Sequence, residues 1–126
     1  EALYALAYAI KFALKGSLEY AVMPLEGLWW APDPTAFTLA DKDAWSWTAM
    51  ILQPPEVTGE LLEGVRSQVA RKKDLPALPL VRLGTYHEGL AAQILYRGAY
   101  SDEGPTIERL HAYIAAQGCT LAGKHH

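Results

Sequence analysis

Two amphipathic segments near the ends of the chain constrain the fold most. In residues 1–15 apolar side chains recur at steps of three and four, and Gly16 follows. The second segment opens at Pro105, runs to Gln117 and is closed by Gly118. A proline in the first turn and a glycine after the last turn are typical of helix ends. The apolar stripes of the two helices match in spacing: Leu3, Leu6, Ala7 and Ile10 in the first, and Ile107, Leu110, His111 and Ile114 in the second. This match indicates an internal duplication.

The residues between these helices predict short strands. Four segments have strand character: residues 18–23, 45–53, 80–86 and 90–97. The clearest is 45–53, whose alternation places Trp45 and Trp47 on one face. Residues 29–42 form a Pro- and Asp-bearing loop, and Thr58 caps a further helix. The implied unit is strand, helix, strand, strand, occurring twice. We therefore predict an α+β fold with one antiparallel sheet, helices packed on one face and a central ligand cleft.

Size and charge limit the classes of partner. The 126 residues are 51% hydrophobic, include one cysteine and carry a formal net charge of -3. A chain of this size can bury a core without disulfides. We expect a single domain over residues 1–126 that lacks its first and last strands, because the chain begins inside a helical pattern and stops at His126. The sequence has no basic run and no long apolar stretch. It therefore predicts a cytoplasmic protein that contacts neither nucleic acid nor membrane.

The aromatic residues are mostly those with a polar tip. The chain has four Trp and seven Tyr but only two Phe. Such side chains can pack and donate hydrogen bonds at once, which suits a ligand pocket at least as well as a core. Three segments contain seven of the eleven Trp and Tyr residues: PLEGLWW (24–30), WSWTAMILQPP (45–55) and HEGLAAQILYRGAYSDEGPTIERLHAYI (87–114). A fourth segment, GCTLAGKHH (118–126), closes the chain.

Taken in order, these four segments resemble the GyrI-like small-molecule-binding family, in the stand-alone subgroup similar to cyclopropanoid cyclopropyl hydrolases. The resemblance implies the duplicated unit and an aromatic cage. It also implies a role in xenobiotic resistance, since relatives include effector-binding domains of drug-responsive regulators, and one is a DNA gyrase inhibitor. Two departures stand out. The family's central acid would follow His126, and Tyr96 replaces a histidine common in the family.

Seven residues are candidates for the site. As ligand-binding residues we predict Tyr8, Tyr20, Trp29, Trp30 and Tyr100. As catalytic residues we predict Glu26, a carboxylate among aromatics that would serve as base, and Tyr96, a phenol that would polarise a carbonyl. Each has a plainer alternative: the two Trp rings cap the end of the sheet, Glu26 is a turn carboxylate, and Tyr8 lies on a solvated helix shoulder. For Trp45 and Trp47 both alternatives stand: they pack in the core or they line the cleft.

The four histidines do not form a metal motif, and no cofactor is predicted. His125 and His126 would point to opposite faces of a strand, so they could not bind one metal together. His111 lies on a helix stripe and is expected to pack in the core. Cys119 has no activating partner visible in the sequence.

Two functions follow from these features. The first is an enzyme that adds water to the cyclopropane ring of a DNA-alkylating natural product held by stacking. The second is a non-catalytic multidrug-binding or sequestering module. A weaker third is a protein-interaction role like that of the gyrase inhibitor. The expected partner is an aromatic small-molecule drug or toxin, and the oligomeric state stays open, with a homo-oligomer among the alternatives.

Overall fold

The computed structural model describes residues 1–31 and 45–126. Five elements follow in chain order: α1 (Ala2–Ala13), β1 (Leu25–Trp30), β2 (Ser46–Ile51), α2 (Gly59–Ala70) and α3 (Gly104–Ala116). Short 3₁₀ turns occur at Leu78–Leu80 and at Tyr100–Asp102. β1 and β2 pair as a two-stranded antiparallel sheet. The described chain is therefore α+β, as predicted.

The chain divides into two compact units. The first, here called the helical unit, comprises Glu1–Leu28, Trp47–Thr85 and His126. The second, here called the tryptophan unit, comprises Trp29–Ser46 and Tyr86–His125. The helical unit thus holds α1 and α2, and the tryptophan unit holds α3.

The core of the helical unit forms where α1 packs against α2. Its buried residues are Ala2, Leu6, Ile10, Val57, Leu62, Val65, Val69 and Leu78. Leu6 and Ile10 belong to the stripe predicted from the sequence, and each is only 2% exposed. Full burial of such a side chain stabilises the fold by about 1.5–3 kcal/mol relative to exposure. Helix α1 is therefore placed by its apolar face, as its spacing predicts.

Helix α2 is fixed at its start and along its side. The hydroxyl of Thr58 accepts a hydrogen bond from the N–H of Leu61 at 3.2 Å, which confirms the predicted N-cap. Farther along, the guanidinium of Arg66 pairs with Glu63 and donates to the carbonyls of Leu78 and Val81. These bonds hold the 3₁₀ turn and the segment after it against α2, because each carbonyl would otherwise need another donor.

The first strand lies later in the chain than predicted. Residues 18–23 do not form a strand; the strand is β1, which includes Trp29 and Trp30 from the predicted loop. Residues 32–42 of that loop lie outside the described residues. Both 18–23 and β1 are short, largely apolar segments, and such a composition does not determine which of them gains a pairing partner. β1 forms the strand because its backbone is hydrogen-bonded to β2.

The second set of strands is also absent from the described chain. Residues 80–86 and 90–97 form no strand, so the prediction there is wrong. The order helix, strand, strand is met once, by α1, β1 and β2, and the described residues after α3 add a single antiparallel bridge between Trp29 and His125. A short apolar segment becomes a strand only where another segment pairs with its backbone, which one sequence pattern does not reveal.

Helix α3 has the ends that its sequence predicts. Pro105 lies in its first turn, and Ile107 is buried at 5% exposure. Gly118 follows with φ of 73°, a left-handed conformation that glycine adopts without strain, and the N–H of Cys119 bonds the carbonyl of Ile114 at 3.2 Å. At 13 residues, α3 is well below the about 20 needed to cross a bilayer, and no other described helix is longer.

Candidate functional site

The tryptophan unit brings three indoles into ring contacts. Trp29 and Trp45 meet edge to face, with ring centroids 6.4 Å apart and planes inclined by 63°. Trp29 keeps 39% of its surface exposed, so the contact leaves much of this large ring accessible. An edge-to-face pair of this kind contributes about 0.5–1.5 kcal/mol beyond the burial of its area. The pair is therefore ordered and still open to a ligand.

Trp30 is covered by a cation. The Nζ atom of Lys124 lies 3.5 Å from the centroid of the Trp30 ring, well inside the about 6 Å at which a cation–π attraction operates. The next residue, His125, exchanges two backbone hydrogen bonds with Trp29, at 2.7 and 2.9 Å. The chain near its end thus runs along Trp29 and Trp30, and the main-chain bonds hold Lys124 beside its ring.

Glu26 has a histidine partner in the helical unit. Its Oε2 lies 3.0 Å from Nε2 of His126, and about a third of each side chain is exposed: 37% for Glu26 and 27% for His126. A carboxylate bonded to an imidazole can take a proton from water, and the imidazole N–H stabilises the carboxylate before that step. The predicted base therefore comes with a second proton-carrying group.

Tyr20 and Tyr8, also in the helical unit, have different surroundings. The hydroxyl of Tyr20 is buried without a hydrogen-bond partner among the described residues, and this burial raises the pKa of the phenol above its usual 10.0. Tyr8 is 50% exposed on α1, and its ring lies 6.5 Å from that of Tyr4. Tyr20 is thus a protonated, unused donor, whereas Tyr8 offers an aromatic surface.

Tyr96 and Tyr100 lie in the tryptophan unit after residues without regular structure. The hydroxyl of Tyr96 donates to the carbonyl of Ala99 at 3.0 Å. Its ring occupies the space that a Cβ on Gly98 would need, so a glycine at 98 lets the chain fold back under the phenol. Tyr100 is 83% exposed. Tyr96 is therefore held by a local turn, and its proton is already directed at a main-chain oxygen.

The predicted site residues are thus only partly brought together. Trp29 contacts Trp45, and Trp30, which as the next residue of β1 points to the other face of the strand, contacts Lys124; these four residues are here called the tryptophan cluster. Glu26 pairs with His126. Two grooves of the described surface lie elsewhere, in the helical unit. One of about 630 Å³ follows α2 and is lined by basic and proline residues of 70–79, and one of about 230 Å³ lies beside residues 11–19. In residues 1–31 and 45–126, no three His, Cys, Asp or Glu side chains could hold a metal ion.

Sequence reasoning missed Lys124 and His126 as site residues. The sequence predicts no role for Lys124, and His126 enters only in the argument against a metal site. Each partner lies about a hundred positions away in the chain, where helix and strand periodicity carry no information. The signal that could have found them is the motif GKHH itself, which places a cation and two imidazoles in a segment with no core stripe. Trp45, left open between core and cleft, proves to be half-buried against Trp29, whereas Trp47 is 62% exposed.

Comparison with known proteins gives structural relatives. No family model and no curated protein matches the sequence. The chain superposes on the crystal structure of an uncharacterized conserved protein from Listeria innocua with a TM-score of 0.85, 34% identity and 98% of this chain covered. Two hydrolases from Listeria innocua match 93% of the chain, with TM-scores of 0.77 and 0.79 and identities of 33% and 35%. The chain spans 65%, 58% and 59% of the lengths of these three proteins. It is thus similar in fold and sequence to proteins that include hydrolases.

Proposed function

We propose that this chain belongs to a GyrI-like hydrolase. In this proposal it binds flat aromatic xenobiotics and opens the cyclopropane ring of DNA-alkylating natural products. Two independent lines support it. The four sequence motifs resemble stand-alone members with this activity, and two of the structural relatives, 33% and 35% identical, are hydrolases. The expected location of such an activity is the cytoplasm, where an alkylator must be intercepted before it reaches DNA.

The observation that carries the binding part is the exposed tryptophan cluster. Trp29 keeps 39% of its surface open although it contacts Trp45, and Trp30 presents a ring face that already attracts a side chain. Large aromatic surfaces left accessible on a small chain mark a binding area more often than they serve packing. Flat conjugated ligands would stack there, each good ring contact contributing about 0.5–1.5 kcal/mol.

The carboxylate pair carries the chemical part. In the proposed step Glu26 takes a proton from water while the water oxygen bonds to the cyclopropane methylene carbon. The ring C–C bond breaks, and its electron pair moves into the conjugated carbonyl system, which becomes a phenolate. His126, bonded to Glu26 at 3.0 Å, donates to the carboxylate before the step, and the proton that Glu26 gains then passes through solvent to the phenolate. Release of ring strain leaves a modest barrier for such a pair.

The developing phenolate oxygen needs a donor. Tyr20 keeps its proton because burial raises its pKa, and its hydroxyl has no partner among residues 1–31 and 45–126. That hydroxyl is buried, so a substrate would have to displace the side chains that cover it before Tyr20 could donate. Tyr96, the donor predicted from the sequence, would first have to exchange its bond to Ala99 for one to the substrate. A donor aimed at charge that forms in the transition state accelerates the step more than one that binds substrate alone.

Turnover of a cyclopropane-bearing alkylator tests the proposal. The full chain would be incubated with the compound while ring-opened product is followed by liquid chromatography and mass spectrometry. We expect product well above the buffer rate, and Glu26→Gln should lower the rate about a hundredfold while leaving binding near wild type. The matched control is Glu19→Gln, another carboxylate of the helical unit, which should keep full activity.

Two results would overturn parts of the proposal. Tight binding with a product rate equal to buffer would leave the non-catalytic multidrug-binding alternative as the function. If Glu26→Gln turned over as fast as wild type, the base would be another group and the role of Glu26 would be wrong.

A further inference from the structure

Lys124 occupies the ring face that a cationic ligand would seek. Its Nζ lies 3.5 Å from the centroid of Trp30, and both residues belong to the tryptophan unit. The face of an indole carries the negative lobe of the ring quadrupole and is the best aromatic seat for an ammonium or a pyridinium group. In this structure that ring face of Trp30 is therefore occupied by Lys124 of the same chain.

The backbone holds Lys124 at this seat. Gly123 has φ of 73°, a left-handed turn directly before the lysine, and His125 directly after it makes two main-chain hydrogen bonds to Trp29. The hydrogen bonds between His125 and Trp29 are one residue away from Lys124 on one side and from Trp30 on the other. They therefore fix the backbone directly beside both residues of the cation–π contact. A lysine on a freely moving tail would have to be ordered for each contact, at a cost in side-chain entropy that is reduced here.

This placement has opposite consequences for cationic and neutral ligands. A cation could reach the face of Trp30 only by displacing Lys124, and it would then lie close to a like charge. A neutral ring that displaces Lys124 from the same face of Trp30 meets no such repulsion. Since an ammonium has three N–H groups, Lys124 can also donate to a carbonyl oxygen on such a ring.

We propose that Lys124 is a specificity-determining residue, which makes the face of Trp30 select neutral aromatic ligands over aromatic cations. The inference rests on the proposed function, because it names the ligand class of the same cluster. It also separates this chain from a general multidrug binder, for which a cation on an indole face would be an ordinary mode of binding.

A matched pair of probes tests the selection. Phenanthridine is neutral at pH 8, and N-methylphenanthridinium has the same ring system with a fixed positive charge. Their affinities for the full chain would be measured by tryptophan fluorescence quenching and by calorimetry. Wild type should bind the neutral probe at least about fivefold more tightly than the cation. Lys124→Met removes the charge at similar length and should bring the two affinities to within about twofold, mainly by tighter binding of the cation.

Two controls and two contrary outcomes complete the test. Lys124→Arg keeps the cation on the ring and should keep the preference, and Lys15→Met removes a lysine of the helical unit and should change neither affinity. If wild type binds both probes equally and Lys124→Met changes nothing, the selection by Lys124 is wrong while the tryptophan cluster remains a binding site. If wild type binds neither probe, the proposed ligand binding itself fails, and the selection fails with it.

Discussion

The two units of this chain differ in how many apolar side chains they bury. The helical unit buries aliphatic side chains between α1 and α2, where Leu6 and Val65 are each 2% exposed. The tryptophan unit leaves large apolar groups at its surface: Leu90 is 95% exposed and Leu95 is 78% exposed. Its indoles contact one another and a lysine instead of filling a core. The comparison teaches that stability and recognition are assigned to different parts of a small chain.

Truncation of a leucine in each unit should give the largest contrast. Leu6→Ala removes a buried side chain and leaves a cavity between α1 and α2, so the free energy of unfolding should fall by about 2–5 kcal/mol. Leu90→Ala removes an exposed side chain and should change it by less than about 0.5 kcal/mol. Urea denaturation followed by circular dichroism measures both. Equal losses would show that the tryptophan unit packs Leu90 as firmly as the helical unit packs Leu6.

Removal of the Tyr20 hydroxyl should give a smaller effect that depends on pH. Burial raises the pKa of this phenol in the folded state above the 10.0 of the unfolded chain. Below pH 10 both states hold the proton; above it the unfolded state ionises first, and stability is lost as pH rises toward the folded pKa. Tyr20→Phe should therefore lose less stability than wild type between about pH 8 and about pH 11. Near pH 8 it should be as stable as wild type or slightly more stable, because an unpartnered buried hydroxyl is gone.

The control for this pH dependence is Tyr113→Phe, which changes a tyrosine that is 58% exposed on α3. Urea denaturation at the two pH values should show the wild-type loss of stability in this variant. A Tyr20→Phe profile that matches wild type across the whole range would mean that the phenol ionises equally in both states.

The helices could be predicted from the sequence because their signals are local. Thr58 as a cap, the apolar spacing around Leu6 and Ile10, and the glycine after α3 each fix backbone within one or two turns. The strands were less predictable. Residues 18–23 and 90–97 are as short and apolar as β1, and only the position of a pairing partner decides which segment becomes a strand.

The candidate site followed the same division. Trp29 and Trp30 stood out in the sequence because two large rings beside a glycine suit a surface better than a helix stripe. Their contacts did not, since Lys124 and His126 reach Trp30 and Glu26 across about a hundred residues. Contacts of this kind depend on the tertiary fold and leave no periodic pattern, so a motif without a core stripe is their only trace in the sequence.

The most direct test of the central claim, that the tryptophan cluster recognises ligand, compares one indole from each unit. The affinity of the full chain for phenanthridine would be measured by calorimetry in Trp30→Ala and in Trp47→Ala, whose indole is 62% exposed in the helical unit. We expect Trp30→Ala to bind about tenfold more weakly and Trp47→Ala to stay within about twofold of wild type. Equal affinity of wild type and Trp30→Ala, or a greater loss in Trp47→Ala, would contradict the claim.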